Sequence, residues 1–323
     1  MSDEQNNQEP SAQQWQQDVI NRLAFAALNE QKKSRRWKIF FVLLFISYLF
    51  LVYFTAFVNT DSARASIISK KHTALIEVNG VIAADQSASA DNIVTGLRNA
   101  FKTEKVSGII LRINSPGGSP VQAGYVNDEI NRLREQYPGT KVYAVISDIG
   151  ASGGYYIAAA ADEIYADKAS LVGSIGVIMN SFGFTEAIDK LGVERRLYTA
   201  GENKGFLDPF SPEKKEDVQH VRKLLTNIHQ QFIETVKKGR GDRLADDPKL
   251  FSGLIWTGEE SLELGLIDGL GSSSYVAREI IKAENIVDYT PQPDFFERFT
   301  RQLGAAMAGT MSKTLGLEKG TIR

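Results

Sequence analysis

The chain has no cysteine in its 323 residues. That removes disulfides, thiolate nucleophiles and cysteine-held metals together, and it fits a reducing or an oxidising compartment equally. Histidine is almost as scarce, with three copies. His72 follows two lysines, while His220 and His229 fall in one long polar stretch. Nine positions at about 100° each set those two on opposite helical faces, so they cannot converge on one metal or one serine, and both read as solvated surface residues. Also missing are H-E-x-x-H, G-x-x-x-x-G-K-[ST] and a G-x-G-x-x-G after a strand, which weakens metalloprotease, nucleotide and dinucleotide readings. Neither sign of charge dominates: 37 Lys and Arg against 39 Asp and Glu give a net charge of -2, so no basic surface for nucleic acid is expected.

What the chain does have is an ordinary globular composition, 43% hydrophobic and 24% charged, interrupted by one long apolar run. Ile39 to Val58 carries no charge and is long enough as a helix to cross the roughly 30 Å of bilayer hydrocarbon. Lys32, Lys33, Arg35, Arg36 and Lys38 precede it, and the first charges after it are Asp61 and Arg64. The positive-inside bias then places the N-terminus in the cytoplasm and the bulk of the chain outside. Ala63-Arg64-Ala65 has the look of a signal-peptide cleavage site, but the run exceeds the roughly 7 to 15 residues of a signal h-region. A retained anchor over 38–58 is the expectation, with a stalk over 59–72. Residues 1–37 would be a cytoplasmic tail in which Trp15, Val19, Leu23 and Ala26 or Ala27 recur at helical spacing. This suits either a short amphipathic helix or a partly disordered tail.

From Thr73 onward apolar strands alternate with helices. "TALIEVNGVIA", "VSGIILRIN" and "KVYAVIS" read as strands, and "DNIVTGLRNAFK", "VQAGYVNDEINRLREQY" and "YYIAAAAD" as helices. Such alternation, with strands apolar on both faces, predicts an α/β domain with a largely parallel sheet. Short runs "LVGSIGVIM" and "VERRLYTA" follow, then the loop "GENKGFLDPF", a long polar helix over about 212–238, and two more helices around Asp268-Gly269. The last segment, 291–323, places Phe295, Phe299 and Leu303 on one helical face and could dock on another subunit or on lipid.

Three features carry chemistry. In "DIGASGGYYIAAAAD" a strand ends at an Ala-Ser-Gly-Gly turn before a helix. Ser152 there is either an N-cap or a nucleophile at the positive end of the helix dipole. Gly150 to Gly154 also satisfies G-x-S-x-G, the nucleophile elbow of α/β-hydrolases, though both later histidines sit inside a Lys- and Glu-rich helix. A lysine can replace histidine as base if it is neutral; an ordinary lysine titrates near ~10.4, so this costs about 4 kcal/mol of desolvation. Lys204, between glycines and before Phe206 and Leu207, is the lysine set in a loop between apolar elements. Third, "LRINSPGGSPVQAG" ends a strand in paired glycines, which suits either a tight turn or an oxyanion-binding backbone.

Taken together, "INSPGGS", then "GASGGYYIAAAAD" about 35 residues on, then "GSIGVI", then a Gly-flanked Lys 52 residues after the serine resemble signal peptide peptidase A, the membrane-anchored Ser-Lys protease family. The resemblance spans about Thr73 to Asn285. It implies one crotonase-like, Clp-protease-like domain, here 73–290, preceded by one transmembrane helix. It implies Ser152 as nucleophile, Lys204 as general base, Ser174 orienting the lysine, and the N–H groups of Gly118 and Gly153 as oxyanion hole, with no cofactor and no metal. It also implies peptide substrates such as cleaved signal-peptide remnants, contact with membrane lipid, a homo-oligomer whose dyad can be completed across a subunit boundary, and a place in the bacterial inner membrane with the catalytic domain extracytoplasmic. Three rivals stand beside it: an esterase using the G-x-S-x-G serine, a non-catalytic scaffold in which Ser152 is a cap, and an acyl-CoA enzyme of crotonase type, for which an outward-facing domain has no obvious coenzyme A supply.

Overall fold

A computed structural model describes residues 12–68 and 70–291. The chain divides into two compact units that part between Ser66 and Ile67. The described residues of the first lie in α1 (Ala12–Ile68), which takes in the periodic segment after Trp15, the basic cluster and the apolar run, and continues through most of the expected stalk. Trp37 packs on the rings of Phe40 and Phe41, 5.8 and 5.7 Å away. Among the described residues no helix is long and apolar enough to cross a membrane. The expected membrane-spanning helix is thus not supported there, and Tyr53 and the run's side chains from Thr55 onward lie outside the described residues. So does the expected helical face at Phe295, Phe299 and Leu303.

The second unit is built on a mixed sheet of eight strands. β1 (His72–Asn79), β2 (Val106–Ser115) and β3 (Val142–Ala151) lie side by side and parallel. β3 runs five apolar residues without a break, Val142 to Ile146, and β2 buries Gly108 to Leu111, as central parallel strands do when both faces are covered. α2 (Ala90–Phe101) links β1 to β2 and α3 (Pro120–Gln136) links β2 to β3, the helical crossovers that parallel neighbours need. Each starts on a serine cap, Ser89 accepting from Asn92 N–H and Ser119 from Gln122 N–H. They place Ile93, Leu97, Val126 and Ile130 on one face of the sheet, against Ile76, Ile109 and Leu111. The other face carries a smaller cluster, in which Leu75, Ile110, Tyr143 and Val145 meet Val276 and Ala277. These last belong to a short helical stretch, α8 (Ser273–Tyr275), continued by one π-helical turn over Val276–Ile280.

Beyond β3 the sheet forks. β4 (Glu163–Ala166) pairs with the first half of β3, from Tyr143 to Ile146, and β5 (Leu171–Gly173) pairs with its end, from Ile149 to Ala151. β6 (Ile255–Thr257) adds to β5 antiparallel, β7 (Gly269–Leu270) to β4, and β8 (Ile286–Asp288) covers the outer edge of β1. One expectation changes here. The helix foreseen over "YYIAAAAD" is only α4 (Gly153–Ala158). Ala159 to Asp162 turn instead, because Asp162 N–H must reach the Val142 carbonyl to start β4 and because Gly239 packs against the Ala159 carbonyl with no room for a Cβ. The run "VERRLYTA" forms no strand. Between β5 and the long helix α6 (Lys215–Arg240) the one regular element is α5 (Thr185–Lys190), and Ile178, Phe182, Leu191 and Tyr198 in this region are each at least three-quarters exposed.

α6 is fastened at its C-terminal end. Arg240, 1% exposed, makes two hydrogen bonds to the Asp268 carboxylate at 2.7 and 3.0 Å and a third to the Gly265 carbonyl. Asp268 in turn accepts from Ile164 N–H on β4. Buried charges persist when paired and fully hydrogen-bonded, and this pair satisfies both conditions. α7 (Gly258–Glu263), started by a capping box between Thr257 and Glu260, completes the elements.

Candidate active site

Ser152 is the residue that joins β3 to α4. Its φ of 51° and ψ of -121° are unusual for any residue with a Cβ, and its side chain makes no capping hydrogen bond to α4. The N-cap reading of this serine therefore fails. A hydroxyl held in a strained turn and given no local structural bond is free for a ligand, and strain of this kind collects at functional sites.

The fork in the sheet supplies the next residue. β5 pairs Gly173 with Ala151, and Ser152 N–H donates to the Gly173 carbonyl at 2.8 Å. Ser174 and Ser152 thus leave neighbouring strands at the same level. Ser174 also has positive φ, 51°, and its N–H donates to Leu254 at 2.7 Å.

The paired glycines at the end of β2 come to the same place. Gly117 (φ 104°) and Gly118 (φ 153°) have conformations that disfavour a side chain. A Cβ on Gly117 would lie 2.7 Å from the Ser152 Cβ, and one on Gly118 would strike the Ile82 carbonyl. A Cβ built on Gly153 would lie 3.3 Å from the Gly118 nitrogen, so the two amides flank Ser152 together. Neither N–H has an acceptor among the described residues. A pair of unsatisfied N–H groups beside a free hydroxyl is the donor arrangement that stabilises a tetrahedral oxyanion.

Next to this cluster lies a cavity of about 140 Å³, walled by Tyr156 of α4, Ile228 and Phe232 of α6, and Val177 and Ile178 after β5. It is the size of one apolar side chain. Tyr156 packs at a tilt against Phe232, ring centres 5.0 Å apart, and its hydroxyl accepts from Thr235. The next residue, Tyr155, is fully buried and donates to the Leu266 carbonyl at 2.7 Å, and burial pushes its phenol well above the ordinary range. Of the two only Tyr156 lines the cavity; it is not among the site residues expected from the sequence, where its one signal is its closeness to Ser152. Ile228 and Phe232, four apart on α6, carried the periodicity of a buried face but nothing that named the cavity.

Lys204 stands apart from these residues. It is exposed in a turn where its N–H donates to the Gly201 carbonyl, its ammonium has no hydrogen bond or ion pair among the described residues, and it does not line the cavity at Ser152. Of the five expected site residues, the fold of one chain gathers Ser152, Ser174, Gly118 and Gly153 and leaves Lys204 out. One histidine also differs from expectation. His229 is half-buried and its Nε2–H donates to the Ile175 carbonyl at 3.0 Å, so it is not a solvated surface group, while His220 is exposed and packs edge-on to Phe206. His72 is fully buried between the Lys70 carbonyl and the Tyr289 hydroxyl. None hydrogen-bonds to Ser152, so the fold of one chain assembles no histidine–serine pair of the kind an α/β-hydrolase esterase uses. Among the described residues no cluster of His, Asp and Glu is placed to hold a metal ion.

Comparison with known proteins points the same way. A family model described as peptidase family S49 matches residues 134–287. A protein of Brucella melitensis named Na(+)/H(+) antiporter NhaA is 51% identical over 175 residues, which is 54% of this chain and 24% of that protein. A putative signal peptide peptidase SppA of Enterococcus faecium is 28% identical over 239 residues, 72% of this chain and 69% of its own length. A putative protease of Synechocystis is 32% identical over 204 residues, 63% of this chain and 71% of its own length. The chain therefore spans about a quarter of the Brucella protein, at 24%.

Proposed function

The chain belongs to peptidase family S49, and from that premise we propose that it is a membrane-anchored serine endopeptidase working through Ser152 and Lys204. The observation that carries the reading is the convergence of a strained, uncapped Ser152 with the acceptor-less amides of Gly118 and Gly153. Ser152 Oγ attacks the scissile carbonyl while its proton passes to the neutral amine of Lys204. The oxyanion is held by Gly118 and Gly153. Lys204 then returns the proton to the leaving amine, and the same group activates water to release the acyl chain. Ser174, at the level of Ser152, orients the lysine.

Because Lys204 is exposed and unengaged within its own chain, the lysine that serves a given Ser152 comes from a neighbouring copy. The large apolar side chains exposed in the same stretch of chain between β5 and α6, Phe182, Leu191 and Tyr198 among them, favour burial against such a copy. The cavity beside Ser152 takes an apolar side chain, which suits leucine-rich remnants of cleaved signal peptides. The charge-free run Ile39–Val58, with five cations before it, would hold the domain at the outer face of a bacterial inner membrane, where such remnants collect.

The test is hydrolysis of a leucine-rich, signal-like peptide by the detergent-solubilised full chain, beside Ser152→Ala and Lys204→Ala proteins of matched assembly. Cleavage by the parent alone supports the dyad. Equal rates for all three would overturn it.

A further inference from the structure

The oxyanion geometry depends on a residue that the chemistry itself does not touch. Ser115 ends β2 and is fully buried. Its Oγ accepts from Gly117 N–H at 3.1 Å, and it packs under the second glycine turn as well, since a Cβ on Gly154 would lie 3.3 Å from the Ser115 Cβ. It is the side chain at the seam between the two turns that carry Gly118 and Ser152.

The hydrogen bonds of the first turn can be followed group by group. Pro116 has no N–H. Gly117 N–H goes to Ser115 Oγ, the Gly117 carbonyl accepts from Ile82 N–H at 2.9 Å, and Ser119 N–H donates to the Ile82 carbonyl at 2.8 Å. The amide left over is Gly118 N–H. Its direction is opposite to the Gly117 carbonyl, because both belong to one planar peptide unit. Ile82 therefore holds that unit from one side, and Ser115 holds the unit before it. Between the two lies Gly117, the residue type with the greatest backbone freedom. With both neighbouring peptide planes tied, that freedom is removed and Gly118 N–H is aimed. Without Ser115 Oγ, a buried N–H loses its acceptor and the plane before Gly117 can rotate to seek another.

We infer that Ser115 is a positioning residue that aims the Gly118 amide at the oxyanion, and so controls the turnover step rather than substrate binding. The inference rests on the peptidase reading. It predicts that Ser115→Ala lowers kcat by roughly 10- to 100-fold, somewhat less than deleting an oxyanion donor outright, with KM changed by less than about twofold. A second readout separates aim from fold. A peptide aldehyde, whose hemiacetal oxygen occupies the oxyanion position, should bind Ser115→Ala more weakly by the same factor, while the matching peptide alcohol binds it as it binds the parent. If alanine destabilises the turn, Ser115→Thr and Ser115→Val form an equal-volume pair differing in the hydroxyl, and the threonine protein should turn over at least 10-fold faster than the valine protein. An unchanged kcat in Ser115→Ala, an equal loss of aldehyde and alcohol binding, or equal rates for the threonine and valine proteins would each overturn the inference. A parent protein that does not cleave the peptide, or cleaves it equally well as Ser152→Ala, would instead overturn the peptidase reading.

Discussion

Ser152 costs the fold something that a glycine would not. A non-glycine residue at φ 51°, ψ -121° is strained by about 1–3 kcal/mol, so Ser152→Gly should unfold at a higher temperature than the parent while losing hydrolysis, a pairing read by a thermal melt and a peptide assay. Gly118 shows the opposite constraint. Any Cβ there meets the Ile82 backbone, so Gly118→Ala should lose at least ~100-fold in kcat. Gly124, on α3 with nothing within 4 Å of a built Cβ, is the control: Gly124→Ala should keep full activity and gain up to ~1 kcal/mol of stability. These glycines and Ser152 were legible in the sequence because glycine pairs at strand ends advertise backbone that must turn and be approached. Ser115 was not, although it stands two residues before the first pair, because a serine's role as acceptor depends on the turn it faces and not on its neighbours in the chain.

At the scale of elements, strands and helices through α3 followed their hydrophobic pattern, and the departures came where long-range hydrogen bonds decided. α4 stops after Ala158 since Asp162 is needed at β4; four alanines in a row have helix propensity but no power to refuse a sheet. Helical spacing predicts a solvated His229, and misses its cover, because spacing fixes the relative faces of two residues but not what covers either. Two ion-pair fastenings join elements and can be tested. Glu129 on α3 lies between Arg132 and Arg98, and the Arg132 hydrogen bond above all, with Arg98 behind it, holds the carboxyl down at about 2. Since the folded state favours the carboxylate, this contribution is complete above the ordinary carboxylate value of ~4.3 and disappears as pH falls toward 2. The difference in melting temperature between the parent and Glu129→Gln should accordingly be largest near neutrality and shrink between about pH 4 and pH 2. The second fastening is Arg240 with Asp268. Replacing Asp268 by Asn leaves a buried guanidinium without its counter-charge and should destabilise by ~3–5 kcal/mol in a denaturant titration, loosening α6 and with it the cavity wall at Phe232.

The whole molecule raises the question of how Lys204 meets Ser152. If the lysine comes from a neighbouring copy, a mixture of Ser152→Ala and Lys204→Ala proteins, each inactive alone, should regain a measurable fraction of parent activity once subunits exchange. A mixture that stays inactive while native mass spectrometry detects mixed oligomers would place both groups in one chain. The sequence offers both residues as candidates but says nothing of their separation, because the 177–214 segment has almost no regular structure and its position is set by contacts rather than by local pattern.

The edge of the sheet has a bearing on how the chain is made. β1 enters first, but the strand that covers its outer side is β8: Thr73 N–H bonds to Asn285, Tyr289 N–H to Leu75, and Glu77 N–H to the Thr290 hydroxyl. More than two hundred residues separate these partners, so β1 emerges from the ribosome long before its cover and presents an unpaired row of N–H and C=O groups throughout synthesis. The turns bearing Ser115, Gly118 and Ser152 can assemble in that interval, while closure of the sheet waits for the last strand. A nascent chain halted before residue 285 would hold these turns on a domain still open to any passing strand, and the cell's exposure to that sticky edge is set by the speed of translation rather than by the stability of the finished fold.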